Sequence, residues 1–189
     1  MTRDLIRASI EASIATKQRL LAACEEQIAA LVDAAVACLR GGGKLLFCGN
    51  GGSSCDAAHA AGELVGWFER KQRKGYAAIA LGHEVPTLTA VGNDLGFDEI
   101  FARQIEALAR SGDMVIGFST SGGSRNVVRA LEQAKAIGLS TGALVGERGG
   151  PVAELADVAV RVPSTNTARI QESHLLCVHI LCASIEERV

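Results

Sequence analysis

Aromatic side chains are scarce, only 4% of the 189 residues. That scarcity argues against an aromatic-rich β-sandwich. With 21 glycines and 48% hydrophobic residues, the balance favours aliphatic strands and close turns, as in an α/β fold. No sign of charge dominates either. A formal net charge of -2 leaves no electrostatic footprint for nucleic acid or for an anionic membrane. Any phosphate this chain binds must therefore be held by local geometry. No CxxC pair occurs among Cys24, Cys38, Cys48, Cys55, Cys177 and Cys182, which excludes a zinc ribbon and a thioredoxin-like motif. Reduced thiols in a cytoplasmic protein are expected. No apolar run approaches the roughly 20 residues of a membrane span. Arg3 and Asp4 follow Met1 directly, so no secretory leader is expected.

What is present begins with a stretch, residues 2 to 40, that holds neither glycine nor proline. Apolar positions Ile10, Ile14, Leu21, Cys24, Ile28, Leu31, Ala35 and Cys38 recur at steps of three, four or seven. This predicts an amphipathic helix, unbroken or broken once, stopped by Gly41-Gly42-Gly43. Unbroken, it would extend roughly 60 Å at about 1.5 Å per residue. That exceeds the width of a small domain, so it either packs partly on another subunit or folds back on its own core.

Short aliphatic runs then alternate with helical patterns. The runs are Lys44–Cys48, Ala77–Leu81, Met114–Phe118, Thr141–Val145 and Val158–Val162; the helical patterns fall near 53–69, 97–110, 123–137 and 168–187. Continuous apolar strands separated by helices predict a five-stranded, doubly wound parallel sheet in an α/β/α sandwich. The length suits a single domain over 1–189, with residues 1–40 as a helical segment and 41–189 as the α/β core and last helix.

In open α/β sheets, ligands sit beyond the carboxyl ends of the strands. Two such ends carry chemistry here. The first strand runs into Gly49-Asn50-Gly51-Gly52-Ser53-Ser54, the third into Ser119-Thr120-Ser121-Gly122-Gly123-Ser124, and a helix follows each. Glycines let backbone N–H groups approach a ligand, a helix N-terminus favours an anion, and hydroxyls add donors. A Ser N-cap on any helix produces one such turn; two in one sheet point to a phosphate cradle. Neither loop has the Walker pattern or GxGxxG, so a nucleotide is not the indicated ligand.

His59 and Glu63 stand four apart on the helix after the first loop, so both project from one face. They could share a divalent metal or form a surface pair worth a few tenths of a kcal/mol. On the last helix, Gln171 and His179 are eight apart, roughly 80° out of line at about 100° per residue. They converge only if Gln171 lies near the helix start or reaches across. His174 lies closer to the Gln171 face, and spacing alone leaves it as a rival to His179.

The stretches FCGNGGSSCDAAHAAGEL, AVGNDLGFDEIFARQ, FSTSGGSRNVVRAL and RIQESHLLCVHIL resemble the defining segments of the bacterial phosphoheptose isomerases, a family of sugar-isomerase (SIS) domain proteins. The likeness covers nearly the whole chain. The SIS fold alone is unspecific, but HxxxE combined with Q-x7-H is far more telling. The resemblance implies that His59, Glu63, Gln171 and His179 bind one Zn2+ per subunit and that Glu63 and His179 are the acid–base catalysts. It further implies sugar-phosphate contacts from Asn50, Gly51, Gly52, Glu63, Asn93, Asp94, Ser119, Thr120, Ser121, Ser124 and Gln171. On this ground His179 is preferred to His174. Some members carry an acidic residue where this chain has Ala168. The implied reaction is isomerisation of sedoheptulose 7-phosphate to D-glycero-D-manno-heptose 7-phosphate through an enediol, opening heptose synthesis for lipopolysaccharide or other surface glycans. The implied assembly is a homotetramer with active sites between subunits. Three rivals share the architecture: a SIS-type scaffold that binds the replication initiator, a sugar-phosphate sensor, and an isomerase for another phosphosugar such as arabinose 5-phosphate. The retained metal and acid–base set favours the enzyme over the scaffold.

Overall fold

The computed structural model describes all of residues 1–189. With no glycine or proline to interrupt it, α1 runs unbroken from Thr2 to Arg40. The two-piece alternative is therefore not adopted. Gly42, at φ +82°, takes the chain out of the helix. Its stripe is only half covered: Cys24, Leu31, Ala35 and Cys38 are buried, whereas Ile10, Ile14 and Leu21 are more than half exposed.

The core follows as β1 (Leu45–Gly49), α2 (Gly52–Val65), β2 (Ala78–Ala80), α3 (Val85–Asp94), α4 (Ala102–Leu108), β3 (Met114–Ser119), α5 (Arg125–Ala136), β4 (Ser140–Gly146), α6 (Gly150–Leu155), β5 (Val158–Val162) and α7 (Thr167–Arg188). All five expected strands form, paired in parallel in the order β2-β1-β3-β4-β5. The central strands β1, β3 and β4 are buried on both faces, apart from Ser140 at the start of β4, because both faces are covered. The edge strands β2 and β5 are only partly buried, and β5 carries the exposed Arg161. Leu45, Phe47, Met114, Ile116 and Phe118 face a core shared with α1, α2 and α7. Leu46, Cys48, Val115, Ala143 and Val145 face a second core shared with α4, α5 and α6.

Three differences from the sequence reading have physical causes. The helix expected over 53–69 ends at Val65, because Gly66 follows and the chain beyond it is held by other partners. The helical pattern near 97–110 divides into a 3-10 turn, Phe97–Glu99, and α4. Two helices were not anticipated: α3, which buries no residue in the isolated chain, and α6, six residues long with Pro151 in its first turn. Neither carries enough periodic apolar surface to be recognised.

At the core side of α7, His174 is completely buried, its ring near Phe118, and neither ring nitrogen has a hydrogen-bond partner. Burial pulls its imidazole down to about 4 against an ordinary 6.5, with a backbone contact to Val145 opposing. The unfolded chain therefore binds a proton between those two values that the folded chain does not. This contribution is favourable above the unfolded value and is lost as pH falls toward the folded one. Asp56 acts in the opposite sense, since burial raises its carboxyl to about 6 while His59 opposes. A His174→Leu chain isolates the histidine. Urea unfolding at about pH 7.5 and about pH 5 should show the wild type losing stability relative to the variant, by at most about 1.4 kcal/mol per pH unit. Parallel losses in the two chains would mean that His174 is not buried neutral.

Candidate active site

Strand order reverses between β1 and β3, so the loops that leave them part and open a crevice. Asn50 and Asn126 bridge it, each side-chain amide donating to the other's carbonyl oxygen at 2.8 Å. Asn126 is buried and thereby fixes the spacing of the two loops. In the β3 loop, the Ser119 and Ser124 hydroxyls are 2.8 Å apart, and Ser119 Oγ also accepts from Gly122 N–H at 3.1 Å. Ser124 is the N-cap of α5 but makes no side-chain cap bond, and Gly51 at the start of α2 has no side chain to cap with. Two helix N-termini thus reach the crevice uncapped, an arrangement that receives an anion without a lysine.

A polar cleft of about 220 Å³ adjoins this loop, lined by Thr120, Ser121, Glu147, Arg148, Ser164, Thr165 and Thr167 with no apolar side chain. The last five were not foreseen. Their signal was available, since they too follow strand ends, β4 and β5. At the departure from the family pattern, Ala168 N–H and Arg169 N–H are held by Asn166 Oδ1 at 3.0 and 3.3 Å. The N-terminus of α7 is capped by that asparagine.

Helices α2 and α7 lie side by side and run the same way. Gly52 abuts the Gln171 amide so closely that a Cβ there would have to displace it. Two turns further along each helix, His59 Nε2 meets His179 Nε2 at 2.9 Å. Glu63 Oε1 is 3.4 Å from His59 Nε2, and Phe68 stacks on the outer face of His179 at 5.3 Å between centroids and 23° between planes. His59 is the hub of this group. His174 is in the core and takes no part. Gln171 is one level away, at the start of α2. Asn93 and Asp94 end α3, exposed and bonded to each other at 2.7 Å.

The donor types suit zinc: two imidazoles and a carboxylate, the last at 3.4 Å from His59 Nε2, close to the edge of a tetrahedral site with bonds of about 2.0–2.1 Å. No three His, Cys, Asp or Glu side chains converge fully in the single chain. Asp56, three residues before His59, has a buried Oδ2 without a partner. It was also overlooked, although a carboxylate in the alanine-rich phrase DAAHAA was a visible anomaly.

Close approaches distinguish two glycines. A Cβ on Gly122, which sits at φ +71°, would overlap the backbone carbonyl of Gly149. On Gly52 it would overlap only the movable end of Gln171. Gly122→Ala should cost at least about 2 kcal/mol in urea unfolding, and Gly52→Ala less than about 1 kcal/mol. Equal costs would contradict this packing of the loops.

Comparisons with known proteins identify the family. Residues 10–146 match the SIS domain family. A phosphoheptose isomerase of Helicobacter pylori is 45% identical over 186 residues, spanning 98% of this chain and 96% of the relative. One from Geotalea daltonii is 51% identical over 163 residues, 86% of this chain and 84% of its own. The solved structure of a phosphoheptose isomerase from Francisella tularensis superposes with a TM-score of 0.95 at 40% identity, covering 99% of both chains. This chain belongs to the phosphoheptose isomerase family of SIS-domain proteins.

Proposed function

We propose that the chain isomerises sedoheptulose 7-phosphate to D-glycero-D-manno-heptose 7-phosphate. The observation that carries this reading is the meeting of Glu63 and His179 around His59 on two helices, one of which starts at the phosphate-type loop after β1. Glycines 51 and 52, Asn50, the hydroxyls of Ser119, Thr120, Ser121 and Ser124, and the Gln171 amide hold the sugar phosphate. Asn93 and Asp94 join them from the rim. Glu63 takes a proton from C1 of the ketose while His179 delivers one to the C2 oxygen, which leaves an enediol. The O1 proton then departs to His179 and the carbon proton returns at C2. No proton is gained or lost overall.

Of the set the resemblance implies, His59, Glu63 and His179 are together here and Gln171 lies against Gly52. With the Gln171 amide brought to them the four would hold one Zn2+, which supplies Lewis-acid polarisation of the carbonyl when bound. The resemblance implies a homotetramer with active sites between subunits, and two features support the assembly itself. The start of α1 exposes Leu5, Ile6, Ile10 and Ile14, and an apolar groove of about 580 Å³ between α1 and α7 contains none of the site residues. No helix is long and apolar enough to cross a membrane, and the composition suits a cytoplasmic enzyme.

Glu63→Gln should lower kcat by about 10²- to 10⁴-fold, the usual worth of a positioned base, with the assembly unchanged by light scattering. Chelation should lower wild-type turnover, and zinc should restore it. Near-normal turnover by the variant would refute the base role. No turnover by intact, zinc-loaded wild type would favour the sensor or scaffold reading.

A further inference from the structure

Glu186, near the end of α7, is buried with 2% of its side chain exposed, and its carboxylate is committed to one short segment. Oε1 accepts from Phe68 N–H at 2.8 Å and from Arg73 Nε at 2.6 Å. Oε2 accepts from Glu69 N–H at 2.9 Å and Arg70 N–H at 2.8 Å. Burial pushes this carboxyl up, but the four donors outweigh it and leave it at about 2. The carboxylate is therefore charged throughout the working range.

The other end of Arg73 closes α2. Nη2 donates to the Glu63 carbonyl at 2.7 Å, and Nη1 donates to the carbonyls of Leu64 at 2.9 Å and Lys74 at 3.0 Å. The Glu63 and Leu64 carbonyls belong to the last turn, where intrahelical partners run out. The guanidinium lies 4.3 Å from the centroid of the Tyr76 ring. Residues 66–76 contain no helix or strand, so these bonds decide where the segment sits. Their visible product is the Phe68 ring stacked on His179. His179 is thus bounded by Phe68 on one side and by His59 on the other, at 5.1 Å between centroids.

A buried ion pair is weak evidence for stability, because desolvation offsets most of the attraction. Fixing one geometry is its better-attested use. We propose that Glu186 is a positioning residue: through Arg73 and the 66–76 segment it sets the orientation of the His179 imidazole and the end of α2 that carries Glu63. This inference rests on the reading of Glu63 and His179 as the acid–base pair. A proton shuttle serving two adjacent sugar oxygens depends on ring orientation, and a misplacement of about 1 Å can cost on the order of 10²-fold in rate.

The test uses the full-length protein, sedoheptulose 7-phosphate as substrate, and two readouts independent of turnover. Trp67, the only tryptophan, lies in the segment and reports its mobility by fluorescence anisotropy. The ring resonances of His179, one of 4 histidines, report the Phe68 stack by its ring-current shift. Glu186→Gln should lower Trp67 anisotropy, shift the His179 resonances, and reduce kcat on the order of 10²-fold with KM little changed. Phe68→Leu leaves the clamp intact. It should shift His179 and reduce kcat similarly while Trp67 anisotropy stays at the wild-type value, and it carries the test if Glu186→Gln fails to fold. Wild-type kcat in either variant despite a shifted His179, or unshifted His179 resonances in both, would overturn the proposal. If wild type itself does not turn over, the isomerase reading fails, and the His179 resonances still decide whether Glu186 orients that ring.

Discussion

The site depends on α2 and α7 lying close together and running in the same direction. Contacts step along both in order: Gly52 with Gln171, His59 with His179, and then, past the end of α2, Phe68 with Glu186. The residues that permit this are small. Ala57, Ala60 and Ala61 share one core with Ile170, Cys177, Val178 and Leu181 from α7. Each large aliphatic side chain buried there contributes about 1.5–3 kcal/mol relative to exposure. Larger side chains on α2 would widen the gap and part the histidines before any chemistry was touched.

The parallel sheet supplies the second half of the arrangement. Because β1 and β3 are neighbours whose connections leave in opposite directions, their loops open toward the same crevice, and the Asn50–Asn126 bridge holds the opening. One helix start therefore serves two purposes. On the proposed function the N-terminus of α2 would receive the anion, and about two to three turns later the same helix presents His59, Glu63 and, at its end, the Arg73 contact. On that reading, a single helix would link phosphate binding to proton transfer.

Much of this was legible in the sequence, and the exceptions are instructive. Aliphatic runs located all five strands; burial on both faces keeps the central ones almost free of polar interruption, while β5 was recognisable despite the exposed Arg161. The loops at 49–54 and 119–124 were legible because two Gly/Ser turns, each followed by a helix, end strands of one sheet, where a lone turn would have been an ordinary helix cap. His59 and Glu63 were found by helical spacing. The pairing of Gln171 with His179 was not, because the two side chains meet α2 at different levels and owe each other no common face. Helix α3 was missed for want of a buried stripe, and the end of α2 was overrun because a glycine alone does not reveal the loop anchor beyond it. Glu186 was illegible: in the charged ending IEERV it looks like a solvated residue, and only the fold shows four donors converging on it.

The measurement that bears most directly on the central claim is conversion of sedoheptulose 7-phosphate in D2O, followed by NMR at C1 and C2. Proton abstraction by Glu63, which is partly exposed, predicts an aldose product carrying solvent deuterium at C2. Absence of product, or product formed by the assembled protein with no deuterium at C2, would contradict an enediol made by the residues at the α2–α7 contact.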